Sequence, residues 1–179
     1  MKDTNPKTEQ RLAMGKNFCP QHFSLYRACL ANAEDLTDEA KTLAENGRYA
    51  RAFALAFTAA EEIGKALVVA DWVYGLVPEE VFRDAFVKHD VKQSHFDTIF
   101  SAAYGEPEHN SKAIREDFKR RLSALYVAKA NDGSPLVPQD AVSEEHALQM
   151  IAQVEERLTS IISAEWLNPP LIGSKALLK

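Results

Sequence analysis

Two groups of ionisable residues stand where chemistry could follow. His89-x-x-Lys92 places an imidazole and an ammonium three positions apart, on one face of a helix, and Arg83 lies six residues before the histidine. A neutral imidazole can take a proton from a ribose 2′-hydroxyl while a neighbouring cation stabilises the charge gathering on the phosphate. The blander reading is a solvated polar helix face. The Arg-x5-His spacing carries no weight by itself, because nine Arg and five His in 179 residues give roughly 0.75 chance matches over three tolerated spacings.

The second group is Glu61-Glu62-Ile63-Gly64-Lys65, three ionisable side chains in the middle of the most apolar stretch of the chain. Glu61 and Lys65 suit an i,i+4 pair worth about 0.3 kcal/mol. Glu62 points about 100° further round the helix, toward a different neighbour. A third, basic stretch comprises Arg115, Lys119, Arg120 and Arg121, with Tyr126 following. Such a run is usually a solvated face, but Arg121 shares a side with Leu125 and is expected to turn inward, toward a carboxylate such as Glu62. These residues could equally form a buried polar network in a non-catalytic protein-binding or regulatory module.

Cofactor signatures are lacking: the sequence has no Gly-rich phosphate loop, no paired CxxC and no HExxH. No cofactor and no metal are expected. The one Glu-x-x-His pair, Glu106 and His109, spans Pro107, and Cys19-x-x-His22 has no partner ligands nearby. Cys19 and Cys29 read as reduced, small apolar residues. A net charge of −5 argues against coating nucleic acid by bulk electrostatics while leaving room for a local basic cleft. With 46% hydrophobic and 26% charged residues the composition is that of a globular domain. No apolar run approaches the roughly 20 residues of a membrane span. The polar first 17 residues lack a secretory pattern, so a cytoplasmic protein is expected.

The elements that must position these groups are helices. Residues 1–17 read as a flexible leader, 18–168 as one helical domain and 169–179 as a tail. Apolar residues at three- and four-residue spacing predict a helix from Pro20 to the Asn46-Gly47 stop, and a second, central one from Arg48 to Tyr74. The alanines and Gly64 of the second allow a neighbour to approach closely. A third segment starts after Pro78 and runs to Gly105, as one helix or two; a fourth covers Ser111 to Lys129. After a loop at 131–139, a last helix is capped by Ser143 and reaches Trp166. No strand of convincing length alternates, so the expected fold is all-α, a bundle of four to five antiparallel helices.

Taken together, Ala59-Ala60-Glu61-Glu62-Ile63-Gly64-Lys65-Ala66, His89-x-x-Lys92 and Arg121-x-x-x-Leu125-Tyr126-Val127 resemble the AbiV-type abortive infection proteins, a branch of the HEPN superfamily, over about residues 20 to 165. The resemblance implies a HEPN-like bundle, a bacterial anti-phage role and a homodimer in which two site faces meet. A phage-encoded trigger or a cognate regulator would be a further partner. Many HEPN proteins are metal-independent endoribonucleases that use an Arg-x4–6-His motif and leave a 2′,3′-cyclic phosphate. Arg83 to His89 fits that motif, although the AbiV pattern fixes His-x-x-Lys more firmly than the arginine. On this likeness the chain would be an RNA-targeting toxin. His89 would be its general base, Lys92 and Arg83 would neutralise phosphate, and Glu62 and Lys65 would orient them. Glu61, Arg121 and Tyr126 would bind RNA or position the site.

Overall fold

The longest apolar periodicities become the longest helices. The computed structural model describes residues 6–104 and 111–167, with side-chain surroundings for 9–96 and 116–163. Expectations at Glu106, His109, Arg115 and the tail 169–179 lie outside those limits. Among the described residues there are eight helices: α1 (Pro6–Leu12), α2 (Pro20–Glu45), α3 (Tyr49–Val73), α4 (Glu79–Asp84), α5 (His89–Tyr104), α6 (Ser111–Leu125), α7 (Pro138–Ala141) and α8 (Glu144–Leu167). The fold is all-α. No helix among the described residues is long and apolar enough to cross a membrane.

The hairpin of α2 and α3 turns at Gly47, whose φ of 69° lies in the left-handed region and whose N–H donates to Ala44 O at 2.9 Å. From there α3 runs through the middle of the bundle and packs against α2, α5, α6 and α8. It can be surrounded because small and apolar residues occupy nearly its whole circumference: Ala56, Phe57, Ala60, Ile63, Leu67 and Val68 are all fully buried. Of the charged residues on α3, Glu61 and Asp71 are buried, and a carboxylate out of water needs a partner on a neighbour.

Two expectations change and a third is decided. The leader is structured from Pro6 onward: Leu12 is fully buried, Asn17 N–H donates to Val73 O at 3.0 Å and Asn17 Nδ2 to Trp72 O at 2.9 Å. This segment satisfies the Val73 carbonyl and adds a second donor to Trp72 O at the end of α3, a contact without periodicity in the sequence. The third segment, left open between one helix and two, is two, since Lys88 N–H closes onto Asp84 O at 2.7 Å and α5 starts afresh at His89. A small sheet is also present, β1 (Ala128–Lys129) antiparallel to β2 (Pro135–Leu136), too short for alternation to reveal. Its turn has Gly133 at φ 89°, and the Asp132 carboxylate accepts from Ser134 N–H at 2.9 Å. Accordingly α6 stops at Leu125, and Tyr126 stands beyond it. The cap of α8 is as expected: Ser143 Oγ accepts from His146 N–H at 3.3 Å.

Candidate functional site

Consecutive carboxylates leave α3 in directions about 100° apart, and the two meet different neighbours. Glu61, only 4% exposed, reaches α5 and accepts a hydrogen bond from Nδ1 of His89. Glu62 accepts from Lys65 Nζ at 2.5 Å, a pair that is itself largely buried. The expected Glu61–Lys65 pair is therefore replaced by Glu62–Lys65, three residues apart. That leaves Glu61, buried in the bundle, to a group on another helix. Beside Glu62 lies Cys29 of α2. Burial first, and then the negative charge of Glu62, push its thiol up to about 11, against a smaller opposing pull from Lys65.

His89 is the first residue of α5, and its side chain is 44% exposed. With the Glu61 carboxylate as acceptor, the hydrogen of this contact is on Nδ1, and in the base form of the ring the lone pair is on Nε2. The imidazole also rests on Phe118 of α6, ring centroids 4.9 Å apart with planes at 38°. One ring nitrogen held by a buried carboxylate and one ring face held by an aromatic fix the orientation of a base that still reaches solvent.

Gly64 explains why α5 comes so near. A Cβ there would lie 2.0 Å from the carbonyl oxygen of Lys92. Only a glycine allows the first turn of α5 to lie on α3 at this point, one turn from Glu61. Lys92 follows His89 on the same face and is 8% exposed. A second histidine–carboxylate contact lies deeper between the same helices, His95 Nε2 being 3.9 Å from the fully buried Asp71 Oδ2.

The remaining expected site residues are not gathered round His89 in the same way. Arg83 sits on α4, two-thirds exposed, with Nε 4.0 Å from Glu79. The break between α4 and α5 removes the helical phase that a six-residue spacing assumed. Arg121 does not meet Glu62, which Lys65 occupies; its guanidinium covers Phe57 at 5.7 Å. Lys119 and Tyr126 are exposed, and Arg120 pairs with Asp117. Phe118 and Gly64 were legible only as core and close-approach positions, because nothing in a sequence says which helix comes to them. Among the described residues, no group of three His, Cys, Asp or Glu side chains could hold a metal ion.

A helical bundle with a carboxylate-held histidine at a helix start is the class of protein that these features define. The family model for AbiV, within the HEPN group, matches residues 21–159, and the chain belongs to that family. No curated protein and no solved structure matches it.

Proposed function

We propose that this AbiV-family protein is an abortive infection effector that cleaves RNA. The observation that carries the reading is the contact of buried Glu61 with Nδ1 of half-exposed His89, which leaves Nε2 as a directed base. In the reaction, Nε2 takes the proton of a ribose 2′-hydroxyl. The 2′-oxygen then attacks the adjacent phosphorus, the 5′-oxygen leaves and takes up a proton, and a 2′,3′-cyclic phosphate remains. No metal is required, because the nucleophile is generated by the imidazole. Glu61 acts by holding the tautomer and stabilising the imidazolium that forms. Lys92, Arg83, Glu62, Lys65, Arg121 and Tyr126 are the groups available to bind phosphate or to orient the base. The protein would act in the cytoplasm as a homodimer, with a phage product or a cognate regulator as its switch.

A second reading, a non-catalytic interaction module, draws on one observation: Lys65 is committed to Glu62, and Lys92 is largely buried. Induced expression in a bacterial host, with total RNA followed by electrophoresis, separates the two. The nuclease reading expects growth arrest with RNA fragmentation in the natural sequence and neither in His89→Ala at equal protein level. Fragmentation that persists in His89→Ala removes the imidazole from the chemistry.

A further inference from the structure

An imidazole base needs a cation close to the phosphate it works on, and the cations nearest to His89 in sequence are poorly placed: the adjacent Lys88 pairs with Asp84 at 2.8 Å. Arg83 is on another helix, turned to solvent beside Glu79, and Lys92 is 8% exposed. A different route leads from His89 through aromatic contacts. Its ring touches Phe118 at 4.9 Å, Phe118 lies 6.5 Å from Phe57, and the guanidinium of Arg121 covers Phe57 at 5.7 Å. Phe118 and Arg121 are three apart on α6, hence neighbours on one helix face with Cβ atoms roughly 5–6 Å apart. Arg121 Nε is out of water and has no hydrogen-bond acceptor, whereas the residue as a whole stays partly exposed. The Nε is thus beyond the reach of a nucleic acid, and a ligand meets the part of the side chain that remains exposed. Arginine, with its planar fork of donors, is suited to a phosphodiester.

Resting on the RNA reading above, we infer that Arg121, supplied by α6 across Phe118, and not Arg83, is the residue that binds the phosphodiester presented to His89. Phe57 lies against the guanidinium and its Nε edge is out of water, so the attraction of the group for an anion is weakly screened. The active face is then assembled from three helices: α3 gives Glu61, α5 gives His89, and α6 gives Arg121.

The test uses the full chain and a fluorescent single-stranded 2′-O-methyl RNA oligomer, which cannot be cleaved because its 2′-oxygen is blocked. Anisotropy is followed at several salt concentrations, with the unfolding midpoint of each variant measured alongside. Arg121→Gln is expected to weaken binding at least tenfold and to lower the slope of log affinity on log salt by about 0.7, the single-strand value for one phosphate contact. Arg121→Lys should keep part of the affinity, and Arg51→Gln, at an exposed position outside the site, should match the natural chain. Unchanged binding in Arg121→Gln, with binding lost in Arg83→Gln, overturns the assignment and leaves the RNA reading standing. Failure of the natural chain itself to bind the oligomer overturns both. Weakened binding in Arg121→Gln without a change in salt slope marks a packing role and also overturns it.

Discussion

Replacing Gly64 by alanine tests how α5 is held against α3. The new methyl group would sit 2.0 Å from Lys92 O and 2.7 Å from Lys92 C, and ordinary contact begins near 3.4 Å. The obstacle is backbone, so no rotamer change relieves it, and the first turn of α5 must retreat by about 1.4 Å. Alanine gains about 1 kcal/mol over glycine in a helix interior. Overpacking costs about 1–3 kcal/mol, and a clash with backbone belongs in the upper half of that range. The clash therefore wins, with a net loss of about 1–2 kcal/mol, or about 2–8 °C in unfolding temperature for a chain of this size. The functional loss should be larger than the stability loss. A retreat of more than 1 Å takes His89 beyond hydrogen-bonding range of Glu61, and such a misplacement can cost about 100-fold in rate.

Urea unfolding and RNA-cleavage rate, measured on the same preparations, check both parts. Gly47→Ala is the control: its φ of 69° is unfavourable for alanine, but nothing lies within 4 Å of the new methyl group. It should lose about 1–2 kcal/mol while keeping its rate per folded molecule. A Gly64→Ala protein as stable as the natural one, with full activity, would refute the close approach and the reasoning built on it.

Three further outcomes follow from the same contacts. Glu61→Gln removes the carboxylate that selects the Nδ1–H tautomer; cleavage should fall about 100-fold or more, and ring-nitrogen NMR shifts of His89 should show mixed tautomers, whereas a single unchanged tautomer would dismiss Glu61 as its orienter. Cys29, with its thiol at about 11, is about one-thousandth thiolate at pH 8, so iodoacetamide should label partly exposed Cys19 in the folded protein and Cys29 only after unfolding, as read by peptide mass. Burial raises the carboxyl of Asp117 despite Arg120 beside it. A raised acid contributes most to stability below its unfolded value near 3.8 and loses that contribution as pH rises through the folded value, so Asp117→Asn should gain on the natural chain between pH 3 and pH 7 in urea melts. An advantage that shrinks over that interval would show that Arg120, not burial, dominates there.

The helices were legible because they are long: α2 and α3 begin and end within one or two residues of where Pro20, Gly47 and Gly75 place them. The site was legible as a set of residues but not as a set of pairs. Nothing in Glu61-Glu62-Ile63-Gly64-Lys65 tells which carboxylate takes the lysine. The i,i+4 rule chose Glu61, and burial on α3 assigned Glu62 instead. Arg83 shows the opposite failure, where a familiar spacing suggested proximity that the break at Val87-Lys88 removes. Spacing informs only while the chain between two residues keeps one helical phase.

That limit bears on how the cleft is built. A motif carried on one helix keeps its geometry whenever that helix folds, but Glu61, His89 and Phe118 belong to three helices and meet only when α5 and α6 are both docked on α3. The α3–α5 approach is closest at Gly64, where two backbones touch, and α6 meets Phe57 of α3 through Phe118 and Arg121 and meets the imidazole through Phe118 alone. A modest shift of either helix would separate the base from its carboxylate or release its ring without unfolding α2, α3 and α8. For the effector proposed above, a site of this kind would keep it harmless until infection, with the docking of two helices, rather than the making of a bond, as the element that biases activity. Hydrogen exchange of α5 and α6 amides, compared with those of α3, would put a free energy on that docking. Protection in α5 equal to that of α3 would mean that the site forms with the core and cannot be switched in this way.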